Sequence, residues 1–143
     1  QMPEGVVVID MMEPSLQAVI RAEVDHVYWL ATKATSLAFS LMLDALRIKG
    51  YHGECQPVVC QEWVSAIERD KPNKPFIEKT MQGFLDQALL PNRRQGVFLG
   101  CTHFSHWQHA IRSSLPDDLV IIDPTSGLVD IVRAVITEAK VVA

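Results

Sequence analysis

Val97-Phe98-Leu99-Gly100-Cys101-Thr102-His103-Phe104 joins an apolar run to a polar triplet that holds a thiol, a hydroxyl and an imidazole. A short apolar run bounded in this way fits a buried parallel strand. The residues after it, Ser105 to Leu115, read as a helix. The triplet then falls where a strand's carboxyl end gives way to a helix, which is where open α/β sheets bind their ligands. Gly100 lets the backbone approach closely at the turn. Cys101 is placed to feel the positive end of the following helix dipole, a setting that favours a thiolate.

Working outward, strand and helix patterns alternate. Val6-Val7-Val8-Ile9-Asp10 is a β-branched run that reads as a strand. Pro14 suits a first helical turn, and Ser15 to Val24 carries apolar residues at helical spacing. Val27 to Ala31 is a second buried strand. Thr35 or Ser36 is placed to cap a helix that runs to about Lys49, is apolar on several sides and is therefore expected to be well buried. Gly50 ends it in the C′ role. Cys55 to Cys60 is a strand candidate that Pro57 confines to an edge or to the strand margin. Gln61 to Arg69 is helical, Asp70 to Pro75 is a loop, and Phe76 to Leu90 is helical, with apolar residues at 76, 77, 81, 84, 85, 88 and 89. Pro91 to Gly96 is a loop into the Val97 strand. Leu119 to Asp123 is the last strand and Pro124 to Ala139 the last helix. Without a tight hairpin signal, the expected fold is three-layer α/β/α, one domain over 1–143, with a mostly parallel sheet of about four to five strands.

The formal charge of −4 and the absence of a basic stripe argue against nucleic acid as partner. Three cysteines without regular spacing do not form a disulfide framework and suit a reduced, cytoplasmic protein. No apolar run approaches the ~20 residues of a membrane span. Gln1-Met2-Pro3-Glu4 is no signal peptide and reads as a cut from a longer chain.

Cys101-x-His103 is the leading pair for chemistry, because a thiol becomes a useful base or nucleophile only beside a base or a positive dipole. A buried structural cysteine beside a hydrogen-bonded loop histidine fits the same spacing. Cys101, His103, His106 and His109 are four possible zinc ligands, but 103 and 109 lie well apart around a helix, and no metal is expected. His106 and His109 read as solvated surface. Thr32, Thr35 and Ser36 follow the second strand, where hydroxyls and free N–H groups suit a carboxylate or phosphate, or simply cap the helix. Glu68 sits late in its helix and Asp123 ends the last strand, each also readable as an ordinary surface or turn carboxylate. Trp29, Trp63 and the methionines read as core. No glycine-rich phosphate loop is present.

Leu99-Gly100-Cys101-Thr102-His103-Phe104 resembles the LGCTH(Y/F) signature of glutamate racemases, in the aspartate/glutamate/hydantoin racemase superfamily. Thr32-Lys33-Ala34-Thr35 resembles the family's T-x-G/A-T segment. Cys60 to Glu68 resembles its C-P-L-F-V-P-L-V-E stretch. Leu119 to Asp123 and the helix after it resemble the segment that follows the catalytic cysteine. His103 is the glutamate-type residue, since aspartate racemases usually carry Glu there. The chain departs from the family at Ser105-His106-Trp107, where Pro-Leu-Leu is usual, and at Gln61 and Glu62.

The resemblance implies a cofactor-independent enzyme that inverts the α-carbon of glutamate with two cysteines, one removing and the other returning a proton, to supply D-glutamate for peptidoglycan and the cell wall. Cys101 would be one of the pair, His103 its proton partner and Glu68 the group orienting His103. Thr102, Thr32 and Thr35 would hold substrate. Family members are about twice as long and carry the opposing cysteine in a first half that nothing here resembles. This chain therefore looks like the C-terminal catalytic half, inactive alone, whose missing partner is the N-terminal half. The last helix, 124–143, packs on that half in the family, so its apolar face is expected to be partly orphaned and to favour association as a homodimer. The alternatives are a racemase of aspartate, hydantoins or a related acid, and a non-catalytic module that binds a small dicarboxylate.

Overall fold

Four parallel strands form one sheet in the order β2-β1-β3-β4: β1 is His26–Ala31, β2 Glu54–Val59, β3 Gln95–Leu99 and β4 Val120–Ile122. The computed structural model describes residues 6–69, 74–88, 90 and 92–142, with side chains for all of these except 74, 84–88 and 138–142. The expected conformations of 1–4, 70–73, 89 and 91, and the apolar positions 84, 85 and 88, lie outside what is described. The helices are α1 (Met12–Arg21), α2 (Lys33–Leu37), α3 (Phe39–Ile48), α4 (Gln61–Glu68), α5 (Lys74–Ala88), α6 (Thr102–Ser105), α7 (Gln108–Arg112) and α8 (Thr125–Val142). No described helix is long and apolar enough to cross a membrane.

Every residue of β1 and β3 is buried, as strands covered on both faces must be. Their side chains alternate between two cores. Val27, Trp29, Ala31 and Phe98 face one, with Leu16 and Val19 of α1 and Leu46 of α3. Tyr28, Leu30, Val97 and Leu99 face the other, with Trp63, Ile77, Met81, Phe104, Trp107 and Ile111. Helices thus cover both faces, and the fold is the expected three-layer α/β/α with a parallel sheet. α1 packs on both α3 and α8. β2 lies at the sheet edge, where Pro57 has no ladder bond to disrupt on its open side.

Several expectations are corrected. Val6 to Asp10 is not a strand: Val6, Val7 and Val8 are exposed and pair with no strand. β-branched residues favour extended backbone, but a strand exists only with a hydrogen-bonding neighbour. The helix expected from Thr35 to Lys49 is two helices, and its cap is Thr32, whose side chain accepts from the Thr35 amide at 3.2 Å. That helix is also less buried than its composition implies: Leu37, Leu41 and Ile48 are 86%, 63% and 87% exposed. Only one side of α3 faces the sheet, through Leu46. Ser105 to Leu115 is likewise not one helix. The amides of Phe104, His106 and Trp107 bond three residues back, to Cys101, His103 and Phe104. That tighter winding eclipses i and i+3 and sets Phe104 and Trp107 together against Trp63, with ring centroids 5.6 and 6.5 Å away. Trp29 and Trp63 are core as expected, but of the methionines Met12 is exposed.

Candidate active site

The strand order sets where a site can form. The chain leaves β1 toward β2 on one side, then crosses back to place β3 on the other side of β1. The loops after β1 and β3 therefore diverge, and their carboxyl ends flank the switch-point crevice of an open parallel sheet. Residues 32–35 leave β1 there and residues 100–103 leave β3 there. Gly100 fastens the two: its amide donates to the Leu30 carbonyl at 2.9 Å. A Cβ at Gly100 would collide with that carbonyl oxygen and with the Trp29 indole, so the approach requires glycine. The Gln61 side chain accepts from the Lys33 amide at 3.0 Å and ties the first of these loops to the start of α4.

A cavity of about 390 Å³ opens at this crevice. Cys101, Thr102 and Thr35 line it, with Trp29, Met42 and Phe98 as apolar wall. Cys101 is partly exposed, in contrast with Cys60, which is 4% exposed. The Cys101 Sγ lies 3.6 Å from Nδ1 of His103, and Nε2 of the same ring lies 3.4 Å from Oε1 of Glu68. The ring thus stands between a carboxylate at Nε2 and a thiol at Nδ1, with Nδ1 the nitrogen within reach of the thiol's proton. The ion pair is solvent-accessible on both sides and its value lies in orientation more than in stability. His103 and Glu68 do not line the cavity of Cys101. They open instead onto a neighbouring depression with His106 and His109, both exposed. The imidazole thus reaches the sulfur from behind.

The dipole argument for Cys101 weakens in the structure. The helix it precedes, α6, has only four residues, and a single turn carries little of a macrodipole. The neighbour that matters is His103. Of the three threonines, Thr35 and Thr102 reach the cavity and Thr32 does not. Thr32 Oγ1 sits 3.0 Å from Thr35 Oγ1 and holds that side chain in place.

Burial pushes the Cys60 thiol up to about 12 and the Cys55 thiol up to about 11, so neither is a ready nucleophile. Among the described residues, no three His, Cys, Asp or Glu side chains gather where they could hold a metal.

Sequence reasoning missed other lining residues: Asp10, Ser15, Ser105 and Thr125. Ser105 was visible only as a departure from the family's proline. Asp10 and Thr125 gave no local signal, because they enter the cavity from distant parts of the chain. Asp123, noted as a strand-end carboxylate, accepts from the Thr125 amide at 2.9 Å and from Ser105 Oγ at 3.0 Å, so it is a cap and a brace.

No family model matches the chain. Its sequence is similar to glutamate racemases. It is 29% identical to that of Clostridium perfringens over 125 residues, which is 82% of this chain and 45% of the relative. It is 30% identical to that of a Synechocystis strain over 76 residues, 53% of this chain and 27% of the relative. The fold superposes on the glutamate racemase of Francisella tularensis, solved in complex with D-glutamate, with a TM-score of 0.75 and 23% identity. That superposition covers 96% of this chain and 50% of the Francisella chain. The chain thus spans about half the length of the proteins it resembles.

Proposed function

We propose that this chain is the C-terminal catalytic half of a cofactor-independent glutamate racemase and supplies Cys101 as one of its two proton-transferring cysteines. The observation that carries this reading is the line Glu68–His103–Cys101, which ends at a cavity on the switch point of a racemase-like sheet. In one direction the Cys101 thiolate takes the α-hydrogen as a proton, and the electron pair it leaves delocalises into the substrate carboxylate. A thiol on the opposite face returns a proton to the carbon. In the other direction the two sulfurs exchange roles. His103 holds the proton that Cys101 must shed to act as base, and Glu68 keeps the ring turned for that exchange. The hydroxyls of Thr35 and Thr102 would bind the substrate carboxylates, with Thr32 positioning Thr35; such donors also steady charge that develops during proton removal.

The opposing cysteine belongs to an N-terminal half that these 143 residues do not include. The half-exposed Val129 and Ile136 on α8 support that arrangement, as a helix face awaiting a cover, and the 124–143 helix is proposed to seat on that half. The product, D-glutamate, would serve peptidoglycan synthesis in the cytoplasm, and the intact enzyme would be a homodimer.

Deuterium wash-in at the α-carbon of D- and L-glutamate tests the reading. The isolated 143-residue chain should exchange little or nothing. In a two-half parent, Cys101→Ser should abolish racemisation. Wild-type rates in both directions for that variant would refute the assignment.

A further inference from the structure

Ser105, Thr125 and Asp123 meet at the carboxyl end of β4, on the side of the cavity away from Thr35. Ser105 and Thr125 both line that cavity. Ser105 Oγ donates to Asp123 Oδ1 at 3.0 Å and lies 2.9 Å from Thr125 Oγ1. A serine hydroxyl has one hydrogen, and Asp123 holds it. The hydrogen between Ser105 and Thr125 must therefore come from Thr125. The order of donation is Thr125 to Ser105 to Asp123, and it leaves Thr125 Oγ1 with lone pairs and no hydrogen to offer.

The charge of the cavity points the same way. Among the described residues that line it, Asp10 is charged negatively and no lysine or arginine is present. The Asp10 carboxylate gives the wall an attraction for a cationic donor, while the hydroxyls of Thr35 and Thr102 remain to take carboxylates. Resting on the glutamate reading above, we propose that Thr125, positioned by Ser105 and Asp123, is the acceptor that takes the α-ammonium of the amino acid in this cavity. It fixes which way round the substrate lies: ammonium toward α8, carboxylates toward Thr35 and Thr102. Thr125 is then a substrate-contacting specificity residue, and Ser105 and Asp123 are positioning residues.

Protection of Cys101 from iodoacetamide, read by mass spectrometry on the 143-residue chain, tests this with D-glutamate and with glutarate, which has the same carbon skeleton and no ammonium. D-glutamate should protect at a concentration roughly tenfold below that of glutarate, the worth of one hydrogen bond from a charged donor. Thr125→Val should raise the glutamate concentration needed by about tenfold and leave that of glutarate unmoved. Ser105→Ala, which frees the Thr125 hydrogen, should narrow the same gap, and Thr125→Ser should keep it. Equal protection by the two ligands in the wild type overturns the proposal and leaves the glutamate reading standing. A Thr125→Val effect of the same size on both ligands also overturns it, because a general loosening of the fold would do that. Protection by neither ligand overturns the proposal, and the exchange assay on the two-half parent then decides the glutamate reading separately.

Discussion

At the scale of single residues, Gly100 does the most with the least. Its missing side chain is what lets β3 hand the chain to Cys101 while the Leu30 carbonyl and the Trp29 indole press against it. Gly100→Ala should cost about 1–3 kcal/mol, the usual penalty for forcing a methyl into occupied space. Urea titration would show it as a lower midpoint, and Cys101 alkylation should change with it. The three thiols separate in the same way. Cys101 should react with iodoacetamide well before Cys55, and Cys55 before Cys60, whose burial pushes it to about 12. Peptide mapping after timed labelling at pH 8 would read that order. Cys101 and its histidine were legible in the sequence because they lie two residues apart. Thr125 was not, because nothing local to residue 125 announces that a fold will bring it to Ser105.

At the scale of elements, the sheet was readable and the helix ends were not. Val27 to Ala31 and Val97 to Leu99 are apolar runs that read as buried strands and are buried strands. Val6 to Ile9 has the same composition and forms none, since its backbone finds no ladder to join. The helices after β1 and β3 read as continuous because apolar spacing alone does not reveal where bonding tightens to three residues. α3 carries the sharpest test of the difference between being apolar and being buried. Leu46 is buried in it and Leu41 is 63% exposed. Leu46→Ala should destabilise by about 2–5 kcal/mol, whereas Leu41→Ala should stay within about 0.5 kcal/mol. Urea denaturation of the two variants side by side distinguishes them.

At the scale of the whole molecule, buried thiols tie stability to alkaline pH. Cys60 rises from 9.0 to about 12 on folding, so above pH 9 the unfolded chain loses a proton that the folded chain keeps. Stability is complete below 9 and falls as pH climbs toward 12. Between pH 9 and 10.5 this one group should remove about 2 kcal/mol, and Cys60→Ala should flatten that part of the curve. Denaturant midpoints taken across that range measure it. The sheet has a further consequence. β1 and β3 are held in one register, with Leu30 opposite Leu99, and each hands its chain to a different half of the cavity wall. A slip of a single rung would carry the sulfur about 3.3 Å along the strand and turn alternate side chains inside out. The placing of Cys101 against the cavity is thus kept by the amide ladder between β1 and β3, and damage to that ladder would show as altered alkylation of this thiol.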